Sequence, residues 1–395
     1  MHPKSPQMTV ALVGLSFGAA FAPIYKLHPG VGKVVLCDQN PEILREVGDA
    51  FGIEDRRSSL NEVLKDPLID AVHLVTPIPL HEEQTLAVLR SGKHCACTVP
   101  MATTLDGIRR IIETVRRSGK NYMMMETSVY TKHFLYASAM QRGGEFGRIQ
   151  FLRGAHYQDM EFWPDYWMGL PPMHYATHAV SPLLALSGRR ALRVHCFGSG
   201  VMRRALVENY GNPYPIETAI FDLGEDLKAE VTRSLFHTAV LYSESFNVYG
   251  EKKTFEWQQV EEEERPLILE MGGKNIDAGG VVWRGQKVRW ERMEMPGDSG
   301  SLPEAIRRFT VKSRFFDETN PQKSFEAGGG HGGAHPHMVH EFVSSIVENR
   351  RPWIDEVTAA NWTAPGICAH ESAMYGGAEV MIPDFEAFAS GIAGR

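Results

Sequence analysis

The first 126 residues of the chain alternate short apolar runs with stretches whose apolar residues recur at helical spacing. The apolar runs are typical of strands buried on both faces of a sheet. The stretches between them carry helix-start signals, such as Pro41 and the Ser59–Glu62 capping box. The strands are predicted at 9–13, 33–37, 71–75, 94–98 and 122–126, and the longer helices at 19–27, 41–51, 80–90 and 105–117. This alternation predicts a parallel, doubly wound sheet.

Beyond residue 147 the pattern changes to strand-like runs that are separated by turn sequences. These runs are 148–157, 193–199, 217–223, 228–236, 244–249 and 254–258. The turns at 224–228 and 250–254 resemble hairpin tips, so a mostly antiparallel open sheet is expected. Helical spacing returns at 339–348 and 358–373. We predict an α/β protein with a dinucleotide-binding domain over 1–126. An α+β domain for substrate binding and oligomerisation should follow over 127–395, and its C-terminal helices could pack back on the first domain.

Composition narrows the classes of function. The chain has 395 residues, 43% of them hydrophobic and 23% charged, and its net charge of −7 disfavours nucleic-acid binding. The sequence contains neither a signal-peptide pattern nor an apolar segment long enough to span a membrane, which predicts a cytoplasmic protein. The cysteines are scattered and odd in number, which predicts free thiols and no metal site. They are Cys37, Cys95, Cys97, Cys196 and Cys368.

A glycine-containing loop, "VGLSFGAA", follows the first predicted strand. In a dinucleotide-binding fingerprint the first, third and sixth positions are small, and here they are Gly14, Ser16 and Ala19. Ser16 departs from the pattern, and Gly18 could supply the missing flexibility. Asp38 ends the second predicted strand, where a carboxylate accepts ribose hydroxyls and repels a 2′-phosphate. The loop, including Phe17, and Asp38 therefore predict NAD as the cofactor.

Several further stretches resemble one known family. They are "VTPIPLHEEQTLAVLRSGKH", "MMMETSVY", "MHYATHAVSPLLALSG", "GGGHGGAHPHMVHEFVSSIVENRRPWIDEVTAANW" and "IPDF". Together they resemble the Gfo/Idh/MocA oxidoreductases over nearly the whole chain. Most members of that family carry Glu-Lys-Pro where this chain has Thr98-Val99-Pro100. A branch of NAD-dependent glycoside hydrolases, similar to α-N-acetylgalactosaminidase and to sulfoquinovosidases, lacks the lysine, as this chain does.

The resemblance implies a Rossmann domain, an open-sheet domain and a homo-oligomer, either a dimer or a tetramer. It implies that Thr76, Pro77, His81, Val99 and Pro100 line the cofactor together with Glu126. It also implies a route in which NAD oxidises the sugar at C3, the aglycone is eliminated, water adds and the hydride returns. The net reaction is hydrolysis with NAD regenerated.

Such a reaction needs bases that work near neutral pH, and the candidates are histidine, tyrosine and glutamate side chains. The resemblance places Tyr175 and His178 at the reacting sugar, and Glu126 and Tyr130 after the last strand of the first domain. His174 and His178 are four residues apart on the predicted helix and should share a face. We therefore predict these five residues as catalytic. The alternative for each is a structural role.

The substrate is predicted from aromatic and basic residues near these positions. The set is His156, Trp163, Trp167, Arg153, Lys132, His331, His335 and His337. His335 stands where the relatives carry aspartate, and His156 where they carry tyrosine. The loss of that negative charge and the nearby basic groups favour an anionic glycoside, with sulfoquinovosides as the specific hypothesis. Uronides fit the same argument.

Two other functions remain open from the sequence. One is an ordinary NAD-dependent sugar or polyol dehydrogenase, which Val99 disfavours because the usual lysine is absent. The other is a non-catalytic NAD-binding or regulatory protein, which the number of polar residues near the predicted site disfavours.

Overall fold

The computed structural model describes residues 7–240, 242–258, 260, 263–274, 286–295, 301–311, 313–315, 325–327 and 330–393. The chain forms two compact units. Unit 1 comprises Met1–Thr131, Asp298–Ala364 and Asp384–Arg395, and unit 2 comprises Lys132–Gly297 and Pro365–Pro383. Both units are discontinuous, whereas the division predicted at residues 126 and 127 is continuous apart from C-terminal helices that could pack back on the first domain. Periodicity reports local structure and does not reveal which distant segments pack together.

Unit 1 is built on a six-stranded parallel sheet with the order β3-β2-β1-β4-β5-β6. The strands are β1 (Met8–Val13), β2 (Val31–Cys37), β3 (Arg56–Arg57), β4 (Ala71–Leu74), β5 (His94–Thr98) and β6 (Tyr122–Met125). The helices between them are α1 (Ala22–Leu27), α2 (Pro41–Phe51), α3 (Leu60–Lys65), α4 (His81–Arg90) and α5 (Leu105–Ser118). The predicted doubly wound sheet is confirmed. Its strand order reverses between β1 and β4, and ligands of such sheets bind at that point.

Unit 2 carries a nine-stranded sheet that is antiparallel except where β7 pairs with β10. Along the chain come α6 (Lys132–Arg142), β7 (Ile149–Gln158), α7 (Thr177–Ser187), β8 (Arg193–Ser199), α8 (Arg204–Tyr210), β9 (Ile216–Asp222), β10 (Lys228–Ser234), β11 (Tyr242–Gly250), β12 (Lys253–Trp257), β13 (Leu267–Lys274) and β14 (Gln286–Arg292). The predicted mostly antiparallel sheet is confirmed. Its strands β13 and β14 were not predicted from the sequence.

The contact between α7 and β7 shows which side chains of β7 face the helix. A Cβ atom at Gly154 would lie 2.3 Å from the carbonyl oxygen of Ala179, so the backbones of helix and strand touch there. Because side chains alternate along a strand, the even-numbered residues of β7, including His156, point to the α7 side. The odd-numbered residues, including Arg153, point to the opposite face.

The remaining segments complete both units. They contain α9 (Glu304–Arg307), β15 (Ser313–Phe315), β16 (Phe325–Ala327), α10 (His335–Val347), α11 (Glu356–Met374), β17 (Val380–Met381) and α12 (Phe385–Ala393). Within unit 1, α10 packs against α1 and α12 against α5. All five cysteines are buried free thiols, as predicted. In the described part of the chain, no helix is long and apolar enough to cross a membrane.

Candidate functional site

The loop after β1 has the geometry of a phosphate-binding turn. Gly14 has φ +88°, and a Cβ atom there would lie 2.3 Å from the carbonyl oxygen of Val75. Only glycine combines this backbone conformation with such a close approach. Ser16 and Phe17 are exposed, and Gly18 opens the short 3-10 turn that precedes α1. The exposed part of the loop therefore lies at the switch point of the sheet.

Asp38 anchors this loop to the end of β2. Its Oδ2 accepts a hydrogen bond from the backbone N–H of Leu15 at 2.7 Å, and its Oδ1 accepts one from Asn40 at 2.8 Å. Each carboxylate oxygen has a second lone pair, so Asp38 can still accept ribose hydroxyls. These residues fit the adenosine half of NAD, and the negative charge disfavours a 2′-phosphate.

The loops after β4 and β5 are joined by His81. Its Nδ1 lies 2.8 Å from the carbonyl oxygen of Pro100, and its Nε2 lies 2.8 Å from that of Thr76. The Thr76 hydroxyl donates to Gln84 at 2.6 Å. Pro77 follows Thr76, and Val99 is buried just before Pro100. The predicted cofactor residues of both loops are thus brought to the same edge of the sheet.

Glu126 and Tyr130 follow β6, in the interior of unit 1. The Glu126 Oε1 accepts a hydrogen bond from the backbone N–H of Ser128 at 2.9 Å. The Tyr130 ring stacks on His337 with 6.4 Å between ring centroids and packs edge-on against Trp353 at 5.4 Å. Burial raises the pKa of Tyr130, so its phenol stays protonated near neutral pH. Their catalytic roles stay predictions.

Unit 2 contains a polar group that we call the His178 cluster: the buried His156, His178 and Glu244 and the half-buried Tyr175 and Tyr242. The Nε2 atom of His178 lies 3.2 Å from the Tyr175 hydroxyl, and its Nδ1 lies 4.0 Å from Glu244 Oε1. The Tyr242 hydroxyl donates to the same Glu244 oxygen. The His156 and His178 ring centroids are 5.3 Å apart. A histidine between a phenol and a carboxylate is the arrangement of a general base.

Sequence analysis missed Tyr242 and Glu244. They lie two residues apart on β11, whose register pairs Glu244 with His156 on β7. That pairing joins strands nearly 90 residues apart, and no local pattern encodes it (244 − 156 = 88). The available signal was Glu244 at the start of the predicted strand 244–249, because buried carboxylates in strands are rare.

Arg233 supports the cluster from β10 and was also missed. Its fully buried guanidinium donates to the carbonyl oxygens of Tyr175 at 2.8 Å and His156 at 3.0 Å, and to Gln158 Oε1 at 2.9 Å. Burial lowers the pKa of Arg233 to about 10, against the opposing effects of Tyr175, Tyr242 and Glu244. Arg233 therefore stays charged at neutral pH and fixes the backbone on which His156 and Tyr175 are held.

His174 does not share a helix with His178, contrary to the prediction. It lies in the 3-10 turn Pro172–Tyr175, while α7 begins at Thr177. Its ring packs edge-on against His370 at 5.0 Å, and His370 bonds to Glu217 at 2.7 Å. Burial, together with His370, lowers the pKa of His174 to about 3. The turn changes the angle between the two side chains, so His174 joins a second histidine–carboxylate group.

Trp163 and Trp167 precede α7 in the chain and differ in exposure. Trp167 is buried and packs edge-on against Tyr175, with 4.8 Å between ring centroids. Trp163 is 51% exposed. Trp167 thus supports the His178 cluster by packing, and Trp163 is the side chain that is accessible to a ligand.

Arg153 and Lys132 do not supply free positive charge. Arg153 points away from α7, on the face of the sheet opposite His156, and its Nε lies 3.1 Å from Glu230. The Lys132 ammonium lies 2.7 Å from Glu264. Each charge is offset by a carboxylate, so neither residue supports the predicted role in binding an anionic sugar.

The histidines of the 331–337 segment belong to unit 1. His335 packs against Phe21 at 4.5 Å and Phe17 at 5.6 Å, and His331 packs against Phe17 at 5.8 Å. Burial, together with His331 and His73, lowers the pKa of His335 to about 3. His335 is neutral at physiological pH because its surroundings are apolar, so the change from aspartate creates no positive charge.

The buried His335 predicts an acid-sensitive fold. An unfolded histidine takes up a proton near pH 6.5, whereas folded His335 resists protonation down to about pH 3. Stability should therefore fall as the pH drops below 6.5. In the His335→Leu variant, we expect the free energy of unfolding in urea titrations to fall less steeply between pH 6 and 4, by up to about 1.4 kcal/mol per pH unit. An unchanged slope in His335→Leu would contradict the prediction.

Among the described residues, no three histidine, cysteine, aspartate or glutamate side chains are grouped as metal ligands.

The features of unit 1 that bear on chemistry are the Gly14 turn, Asp38 and the loops joined by His81. They define a dinucleotide-binding domain of the Rossmann class.

Comparisons with known proteins show what the first domain is similar to. Residues 8–126 match the model of the Gfo/Idh/MocA oxidoreductase family, described as an NAD-binding Rossmann fold. The first domain of this chain is therefore similar to the NAD-binding domain of that family.

Its curated homologues include proteins named glycosyl hydrolase family 109. The one from Porphyromonas gingivalis is 30% identical over 47% of this chain and 43% of its own length. The one from Saccharopolyspora erythraea is 22% identical over 95% of this chain and 83% of its own length. The chain thus spans less than half the length of the first of these relatives. A levoglucosan dehydrogenase in complex with NADH and levoglucosan shares the fold, with a TM-score of 0.72, 19% identity and coverage of 95% of this chain and 100% of its own.

Proposed function

We propose that this protein is an NAD-dependent glycoside hydrolase. The observation that carries the proposal is the His178 cluster, which brings a base, a phenol and a carboxylate together. The family 109 glycosyl hydrolases among its homologues support the same reaction class. When bound, NAD would accept a hydride from the sugar at C3 and return it after water has added.

The cluster has the connections that a proton relay requires. If the His178 ring carries its hydrogen on Nδ1, on the side of Glu244, its Nε2 lone pair faces the Tyr175 hydroxyl. The Tyr175 phenol can pass its own proton to Nε2 of His178 while its oxygen takes the proton of a sugar hydroxyl, so the phenol stays neutral and the imidazole becomes an imidazolium. The imidazolium that results is stabilised by the Glu244 carboxylate. No lysine is needed at Val99 for this transfer.

Arg233 and Trp167 keep the relay in place. Arg233 holds the Tyr175 carbonyl, and Trp167 packs on the Tyr175 ring. A rigid base is more effective than a mobile one because proton transfer requires hydrogen-bond distance. We therefore assign positioning roles to both side chains.

The anionic-sugar hypothesis, with sulfoquinovosides as its specific case, lacks the free positive charges that would support it specifically. Lys132 and Arg153 are paired with carboxylates, and His335 is neutral. We accordingly propose the reaction class without a preference for an anionic sugar. Neutral and anionic glycosides belong in the same assay.

The test uses aryl glycosides of neutral hexoses, uronic acids and sulfoquinovose, incubated with the NAD-loaded protein in heavy water. A hydrolase should release the aglycone without accumulating NADH, and the sugar should gain deuterium at C2. Stoichiometric NADH without aglycone release would instead identify a sugar dehydrogenase. Aglycone release without deuterium at C2 would exclude the elimination step. Cleavage of sulfoquinovosides alone would restore the anionic hypothesis.

A further inference from the structure

His81 is held between two acceptors. It is 1% exposed, and its two ring nitrogens lie 2.8 Å from the carbonyl oxygens of Pro100 and Thr76. A carbonyl oxygen accepts hydrogen bonds and cannot donate them. Both ring nitrogens must therefore carry hydrogen, and a histidine with both nitrogens protonated is an imidazolium cation.

The groups around His81 agree with a charged ring. Burial by itself lowers the pKa of His81, and the hydrogen bonds to the carbonyl oxygens of Pro100 and Thr76 act in the opposite direction and raise it. The Thr98 hydroxyl lies 3.4 Å from Nε2, farther than the Thr76 carbonyl, and is equally far from the carbonyl oxygen of Leu74. The Thr98 hydroxyl therefore does not replace the Thr76 carbonyl as the partner of Nε2.

The position of this cation along the sheet follows from Asp38. In doubly wound dinucleotide sites the acidic residue after the second strand takes the adenosine ribose, so the other nucleotide lies on the other half of the sheet. In this chain that half consists of β4, β5 and β6. Thr76 and Pro100 follow β4 and β5, at the carboxyl ends where ligands bind.

We propose that His81 is a fixed cation beside the nicotinamide half of the dinucleotide site and that its charge makes the bound cofactor easier to reduce. Hydride uptake converts the positively charged ring of NAD+ into the neutral ring of NADH. A neighbouring cation repels the positively charged ring of NAD+ but not the neutral ring of NADH. It therefore favours binding of NADH over NAD+. The inference rests on the proposed cofactor and is independent of the proposed hydrolysis.

The test compares the binding of both cofactor forms by the full-length protein. His81→Gln and His81→Asn each retain one amide donor and remove the charge. In both, we expect the ratio of the Kd of NAD+ to the Kd of NADH to fall by about tenfold or more, as loss of a unit charge several ångströms away implies. Thr98→Val removes a neighbouring hydroxyl without changing charge, and should leave the ratio as in the wild type.

A purely structural role for His81 would weaken both cofactor forms equally, and that result would overturn the proposal. A second measurement does not depend on folded variants. In wild-type protein labelled with 15N-histidine, the His81 ring should show two protonated nitrogens at pH 7. A neutral tautomer at that pH would also overturn the proposal. Since neither measurement uses a glycoside, a failed hydrolase assay would leave the inference intact.

Discussion

Replacing His178 with asparagine is expected to lower kcat for glycoside cleavage by about 10²- to 10⁴-fold, the usual contribution of a positioned general base. The amide retains the size and polarity of the site but cannot take up a proton near pH 7. NAD binding should stay within about twofold of the wild type, since unit 1 carries the residues that hold the cofactor. Steady-state kinetics and cofactor titration measure the two quantities separately.

Ser181→Ala is the matched control for this variant. Ser181 lies on the same helix and is fully buried. The variant removes one buried polar group from α7 and leaves the His178 cluster complete, so kcat should be unchanged. Wild-type kcat in His178→Asn, or an equal loss in Ser181→Ala, would remove His178 from the proposed mechanism.

Glu244→Gln refines the same prediction. The amide fills the same space without a negative charge, so the imidazolium of His178 loses its counter-charge. We expect the acid limb of the pH profile of kcat/KM to move toward lower pH. A loss of activity with an unchanged profile would show that Glu244 acts through packing alone.

The second large effect is expected at Gly14. In Gly14→Ala, the new methyl group would meet the carbonyl oxygen of Val75 at 2.3 Å in a backbone conformation that disfavours side chains. The strain and the clash together should lower the free energy of unfolding by about 2–4 kcal/mol. Dinucleotide binding should be lost, because the loop has to move to relieve the clash. Urea unfolding and NAD titration measure the two effects.

Gly92→Ala separates the effect of backbone strain from the effect of the clash with Val75. Gly92 has φ +79°, but a Cβ atom there would have no neighbour within 4 Å. This variant should show the strain alone, about 1–2 kcal/mol, with NAD binding retained. If Gly14→Ala and Gly92→Ala were equally stable and both bound NAD, the clash with Val75 would affect neither stability nor NAD binding.

Much of unit 1 was predictable because its signals are local. The buried strands, the Ser59 cap, the Gly14 turn and the position of Asp38 are each encoded within a few residues. The hairpins of unit 2 were found for the same reason, through the turns at 224–228 and 250–254. Residues such as Tyr175 and His178 were found through the resemblance to a family and its motifs.

The predictions that the structure corrects concern the orientation and charge of side chains, which local sequence signals do not determine. Arg153 was assigned to the sugar because it lies near His156 in sequence, but alternation along β7 places it on the other face. His335 was assigned to the sugar because it replaces a negatively charged aspartate of the relatives, whereas the structure buries its ring against Phe17 and Phe21. Charge and orientation depend on the surroundings that a side chain acquires after folding.

The sequence by itself determined the class of fold, the choice of a dinucleotide site and the likeness to glycoside hydrolases. These follow from periodicity, turn chemistry and short motifs, which act within one segment of chain. The tertiary structure alone decided that Glu244 and Arg233 join His178, and that His81 bonds to carbonyls from two loops. Those contacts connect segments far apart in the chain, and strand register and buried electrostatics exist only once the segments have packed.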